Sequence, residues 1–266
     1  MVIGSISRTA LRNTNITTRS AQQFLRQQCR VRQSLSSAAP SRWLTSAAAA
    51  EPGYIERTRP QKREHTPEKE YSETQKKFAI WIGQKFGYFS PRGESQRASV
   101  SLYAICAEQA AVHREFFIRV CNLPDNFQTW FSITQLYIWM LMVRLRAEKN
   151  GKLLIQELVN RLFEDAEDRI RAHDIKQQRV INNYIKDLLA QFHGGVTAYD
   201  EGMCKDDPVL AAALWRNLFA PTSNNAVDLA LVVRYVRKQL KELEEFDGNK
   251  LNNGFVTFCK PDTKLP

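Results

Sequence analysis

The sequence predicts an all-α protein: a single helical-bundle domain of about seven helices, behind a disordered N-terminal leader and tether. Three observations predict this class. Apolar residues recur at three- and four-residue spacing from about Glu68 to Phe246, the period of one helix face. The interruptions are clusters of Pro, Gly, Asn and Asp, the residues that start and stop helices. Only Phe255-Val256-Thr257-Phe258 suggests a strand, a short terminal one.

Residues 1–50 contain seven arginines, no lysine and no acidic residue. An Arg-rich, hydroxylated, acid-free leader without a continuous apolar run is the composition of a mitochondrial transit peptide rather than a secretory signal. Processing is expected between about Leu44 and Glu51. The leader also explains the net charge of +10, because outside it 31 basic residues face 28 acidic ones. Basicity is therefore a targeting property, and the overall charge does not argue for nucleic acid. Residues 51–74 form a basic tether with Pro52, Pro60 and Pro67. The strip Arg57, Arg59, Lys62 and Arg63, continuing to Lys76 and Lys77, is a candidate contact for phosphate groups through charge.

The helices follow in order. Phe78, Trp81, Ile82 and Phe86 mark the first, ending at Gly87. Ser90-Pro91-Arg92-Gly93 reads as a turn, and Ser95–Cys121 as the second helix. Leu123-Pro124-Asp125 breaks the pattern, with Asp125 as the cap of a third helix reaching about Glu148. Lys149-Asn150-Gly151 leads to a fourth, Leu153–His173. A fifth runs from Ile175 to about Val196, where Gly194-Gly195 weaken it. Asp207-Pro208 opens a sixth, through Leu218. Ala226–Phe246 is the seventh, closed by Gly248.

The third helix is apolar around most of its circumference, which predicts a central position. Its excess of aromatic and Met side chains leaves a second reading, a partly open groove for apolar client segments, with Phe131, Tyr137 and Met142 as the candidate surface. Glu164 to Arg171 is the densest charge cluster. It reads as a solvated face with Asp165–Arg169 and Glu167–Arg171 pairs, or as a docking face. Tyr199-Asp200-Glu201-Gly202 reads as a polar loop or a recognition loop, with Asp200 and Glu201 as candidate partner contacts.

The sequence shows no phosphate-binding loop, dinucleotide fingerprint, nucleophile elbow or zinc-protease pair. His65, His113, His173 and His193 are far apart, and no Cys-x-x-Cys occurs. No catalytic residue, metal ligand or cofactor site is expected. The longest apolar run, Phe131 to Leu145, is shorter than the ~20 residues that span a bilayer.

The stretch Cys121-Asn122-Leu123-Pro124-Asp125-Asn126-Phe127-Gln128-Thr129-Trp130-Phe131-Ser132-Ile133-Thr134, with Trp139-Met140 and Val143-Arg144, resembles the ubiquinol-cytochrome c chaperone family. Phe163-Glu164-Asp165, Tyr199-Asp200-Glu201-Gly202, Ala211-Ala212-Ala213-Leu214-Trp215-Arg216 and Tyr235-Val236-Arg237-Lys238-Gln239 continue the pattern, so that residues 75–260 form the expected chaperone domain. The resemblance implies a non-enzymatic assembly factor for respiratory complex III on the matrix side of the mitochondrial inner membrane. It implies three partners: newly made cytochrome b, a small assembly-factor protein and the mitochondrial ribosome near its tunnel exit. A matrix RNA-binding translation factor, or an enzyme with a site assembled from distant residues, is the alternative.

Overall fold

Ser90 and Pro91 begin the bundle instead of forming a separate turn. In the computed structural model, which describes residues 53–57, 72–75, 81, 90–173, 177–219 and 226–263, the Ser90 side chain accepts from Gly93 N at 3.2 Å and Pro91 takes the first helical position. Both roles suit a helix start better than a free turn. The leader, most of the expected first helix, and Arg59, Lys62, Arg63, Lys76 and Lys77 lie outside the described residues.

Ahead of the bundle, Tyr54–Arg57 form a short helix, α1. The long helix α2, Pro91–Val112, is followed by a π-turn at Glu115–Val120. Then come α3, Phe127–Leu145; α4, Gly151–Ala172; and α5, Gln178–Met203. Helix α6, Asp207–Leu214, runs into a second π-turn at Trp215–Phe219. Helix α7, Ala226–Glu244, and the short α8, Gly248–Asn252, complete the order. No strand occurs among the described residues: 255–258 alternate as a strand would, but run beside helices with no sheet to join.

The cap of α3 is Asn126, whose side chain accepts from Thr129 N at 2.9 Å. Asp125 has a different task. Its Oδ1 accepts from Ile55 N at 2.9 Å and its Oδ2 from Arg114 at 2.9 Å. Ile55 is 2% exposed and belongs to the main core, while Tyr54 stacks on His173 with centroids 5.6 Å apart. The start of the expected tether is thus clipped to the domain.

Helix α3 is the axis of the fold, touching α1, α2, α4, α5, α7 and the second π-turn. Every residue from Thr129 to Met142 is buried, the outcome expected of a helix apolar all round. Around it, α4 turns inward one stripe: Leu154, Leu158, Leu162, Ala166 and Ile170. Burial of each leucine there stabilises the bundle by about 1.5–3 kcal/mol.

Helix α5 does not end at its glycines. A Cβ on Gly195 would lie 2.2 Å from Gln135 Nε2, and one on Gly202 would lie 2.7 Å from Leu210 Cα. These positions let α5 approach α3 and then α6, so close contact outweighs the low helix propensity of glycine. The sixth helix starts one residue earlier than expected, with Asp206 rather than Asp207 at the cap. Gly248 begins α8 instead of closing α7.

Candidate functional site

The three side chains expected to line a client groove on α3 are core residues. Phe131 and Tyr137 are fully buried and Met142 is 8% exposed. Phe131 packs against Phe127 and Phe163; Tyr137 packs against Phe117 and Phe258. The groove reading of α3 is therefore incorrect. Six neighbouring elements leave that helix no open side, and its aromatic richness serves packing.

Asp200 and Glu201 sit in the last turn of α5 rather than in a loop. Asp200 is already engaged on two sides: Arg146 donates to both its oxygens at 2.9 Å, and Trp139 Nε1 donates to Oδ1 at 2.8 Å. This carboxylate ties α3 and its following loop to α5. Glu201 faces outward and pairs with Lys205 at 2.6 Å, which lowers its pKa by hydrogen bonding and charge.

Both pairs expected in the acidic cluster form, Asp165–Arg169 at 2.9 Å and Glu167–Arg171 at 2.6 Å. Only the second is on a solvated face. Arg169 sits over the Trp130 ring, its guanidinium carbon 3.8 Å from the ring centroid. Asp165 also accepts from the Tyr103 hydroxyl at 2.5 Å, and burial with that carboxylate nearby raises the Tyr103 pKa well above its ordinary value. The hydroxyl consequently remains a donor, linking α2 to α4.

A second polar cluster, which the sequence reading missed, lies where α2, α3 and α7 meet the C-terminal segment. The Tyr137 and Tyr235 hydroxyls are 2.9 Å apart, and Tyr235 donates to Cys259 O at 3.2 Å. Gln239 Oε1 accepts from Cys259 N at 2.8 Å and from its Sγ at 3.0 Å. Burial pushes the Cys259 thiol up to about 11, so it stays a thiol and a donor. His113 stacks on Tyr137. The alternating apolar pattern at 255–258 was the one available signal, and it reported a segment with an inward and an outward side.

Burial, aided by the charge of Lys260, lowers the His113 pKa from 6.5 to about 4. The unfolded chain takes up this proton near 6.5, whereas the folded chain resists until about 4, so stability falls as pH drops through that interval. We expect the urea midpoint to fall between about pH 7 and about pH 5, and to fall less in His113→Gln. Equal pH dependence in the two proteins would remove His113 as a cause.

Among the described residues no group of His, Cys, Asp or Glu is placed to hold a metal ion, and no helix is long and apolar enough to cross a membrane.

The sequence profile described as ubiquinol-cytochrome C chaperone matches residues 119–258, from the first π-turn to the segment beyond α8. The chain belongs to this family. The Xenopus laevis ubiquinol-cytochrome-c reductase complex assembly factor 1 is 36% identical over 155 residues, 58% of this chain and 76% of that protein. The Saccharomyces cerevisiae protein CBP3, mitochondrial, is 37% identical over 175 residues, 61% of this chain. The Homo sapiens assembly factor 1 is 37% identical over 155 residues. The match covers about half the length of the yeast and human proteins, 52% and 51%. A crystal structure of the Cbp3 homolog from Brucella abortus shares the fold at a TM-score of 0.57 and 24% identity, over 68% of this chain and 97% of that one. The family's matched region thus contains the buried α3 axis, the Asp200 tie and the Tyr137–Tyr235 hydroxyl pair.

Proposed function

We propose that this chain is a mitochondrial assembly chaperone for respiratory complex III, acting without catalysis on the matrix side of the inner membrane. It holds newly made cytochrome b together with a small assembly-factor partner, near the tunnel exit of the mitochondrial ribosome. The observation that carries this reading is the family match across residues 119–258, which spans α3 to α7 and the segment after α8. The names of the relatives point the same way: assembly factors of the ubiquinol–cytochrome c reductase complex, and a mitochondrial yeast protein.

Since α3 offers no surface, client and helper contacts fall to the exposed apolar side chains of other elements, among them Val112, Tyr184, Leu189 and Val227. Scattered residues of this kind give a modest apolar surface, which keeps an uncomplexed chaperone soluble. Glu201 is exposed, and a basic partner would compete with Lys205 for it.

Affinity purification from mitochondria tests the proposal. Cytochrome b, the helper and ribosomal proteins should be enriched, and cytochrome b alone should disappear when organellar translation is blocked. Absence of cytochrome b from the untreated sample would sink the reading. A narrower expectation concerns the basic strip Arg57, Arg59, Lys62, Arg63, Lys76 and Lys77. If these six cations neutralise ribosomal phosphates, association has a log–log salt slope of order −4 to −5. Charge reversal at all six should then abolish ribosome co-sedimentation while the domain stays folded. Unchanged co-sedimentation would place the contact elsewhere.

A further inference from the structure

Beyond α8 the described residues, through 263, form neither helix nor strand. Gly254, at φ 84°, brings it against Ala98 and Ser101 of α2. Residues then alternate: Val256 is buried and Phe258 half-buried against Tyr137, with ring centroids 4.9 Å apart, while Phe255 is 65% exposed and Thr257 is exposed. Among the described residues, no main-chain group from Val256 to Asp262 bonds to the main chain of another element. Near Cys259 the polar hold comes from two side chains of α7, Tyr235 and Gln239.

The floor beneath carries polar atoms as well as aromatic rings. His113 Nε2 and Gln239 Nε2 are buried and have no hydrogen-bond partner. Leaving such atoms unpaired forfeits the hydrogen bonds they made to water in the unfolded chain. The Tyr137 and Tyr235 rings lie against His113, and Phe116 packs on Tyr235. The segment therefore seats its inward side chains but leaves part of the floor's hydrogen-bonding capacity unused.

We propose that residues 255–259 are a releasable strap over a peptide-binding trough between α2, α3 and α7, which takes an unpaired segment of a partner protein carrying an aliphatic and an aromatic side chain two positions apart. The seated strap supplies the chemistry of that occupant: Val256 and Phe258 point inward, and a main-chain N–H and C=O reach Gln239 and Tyr235. An incoming main-chain carbonyl can additionally accept from Gln239 Nε2. The proposal deepens the chaperone reading, resting on it only for which protein supplies the segment.

The test uses a fluorescent peptide with the sequence of residues 252–263 and needs no mitochondrial client. In the unaltered chain the tethered strap competes at an effective concentration of order mM, so the peptide should bind weakly. In full-length Val256→Ser/Phe258→Ser the floor is intact and the strap is weakened, and binding should tighten by about tenfold or more. Adding Gln239→Leu should abolish it. A folded double variant that does not gain peptide affinity overturns the proposal. If the double variant does not fold, native-state hydrogen exchange of the unaltered chain decides. The Cys259 amide should exchange by local opening, about 100-fold or more faster than amides in α3. Exchange only through global unfolding would show that the segment is a fixed part of the core. Failure of the peptide test leaves the purification result untouched, so the two readings fail separately.

Discussion

Trp130→Ala is expected to destabilise the domain by about 3–5 kcal/mol, the largest loss from any substitution considered. Trp130 is 1% exposed and is held on both flanks, by Phe127 at a centroid distance of 5.6 Å and by the Arg169 guanidinium at 3.8 Å. Removing the ring leaves a cavity beside α1 and α4, and also strips Arg169 of a cation–π contact worth about 0.5–2 kcal/mol. The second effect propagates, because Arg169 orients Asp165 and Asp165 holds Tyr103 on α2. Urea unfolding followed by far-UV circular dichroism measures the change. A loss below about 1 kcal/mol would show that the site collapses around the smaller side chain. If the proposed function holds, client, helper and ribosome binding should decline together in this variant, in proportion to the unfolded fraction. Surface substitutions at Val112 or Tyr184 should instead separate these activities.

Arg237→Ala is expected to cost about 2–4 kcal/mol, although Arg237 is on a charged, partly exposed face of α7. Its guanidinium donates to Met203 O at 2.8 Å, Gly202 O at 3.1 Å and Lys205 O at 2.6 Å, and its Nε donates to Asp207 Oδ1 at 3.0 Å. Three of these acceptors are main-chain carbonyls at and just beyond the end of α5, where a helix leaves its last carbonyls short of intrahelical donors. A cation at that end also meets the negative pole of the helix. Lysine carries the charge without the fork, so Arg237→Lys should recover less than half of the loss. If Arg237→Lys is as stable as the unaltered chain, charge alone accounts for the effect and the fork geometry is unimportant.

The sequence made the helices legible and their environments less so. Leucine and valine spacing in α4 and α7 marked the inward stripes, since one face of each meets solvent and period reveals face. In α3 no face meets solvent, so period carries no information, and surplus aromatics look the same in a core as in a groove. Local rules failed where a distant residue changed the outcome. Gly194-Gly195 favour a helix end by propensity, yet Gln135 on α3 makes close approach at Gly195 the stronger demand. Asp125 and Asn126 are both competent caps; Asn126 took the helix because Ile55, seventy residues earlier, and Arg114 occupy Asp125. Ser90-Pro91 has the chemistry of a turn and of a helix start, and the deciding neighbour is Gly93 N. The candidate surface on α3 was misread for the same reason, because exposure is a property of the whole bundle. The Asp165–Arg169 pair was legible in its spacing, while its inward direction depended on Trp130.

The clip formed by Ile55 and Asp125 gives the N-terminal region a different mechanical character from that of a tail. Ile55 and Ser90 are both fixed to the bundle, so the chain that joins them is covalently tied at both ends and its cations belong to a closed loop of sequence. One backbone cut in that loop does not free the upstream piece. After nicking between residues 58 and 71, the fragment ending there is expected to remain with the domain through Ile55 and Tyr54, co-eluting in native buffer and separating in denaturant. Loss of the fragment in native buffer would show that the clip needs covalent continuity. A nick that is silent in native gels would then account for an apparently intact protein that has lost the connection between its two ends.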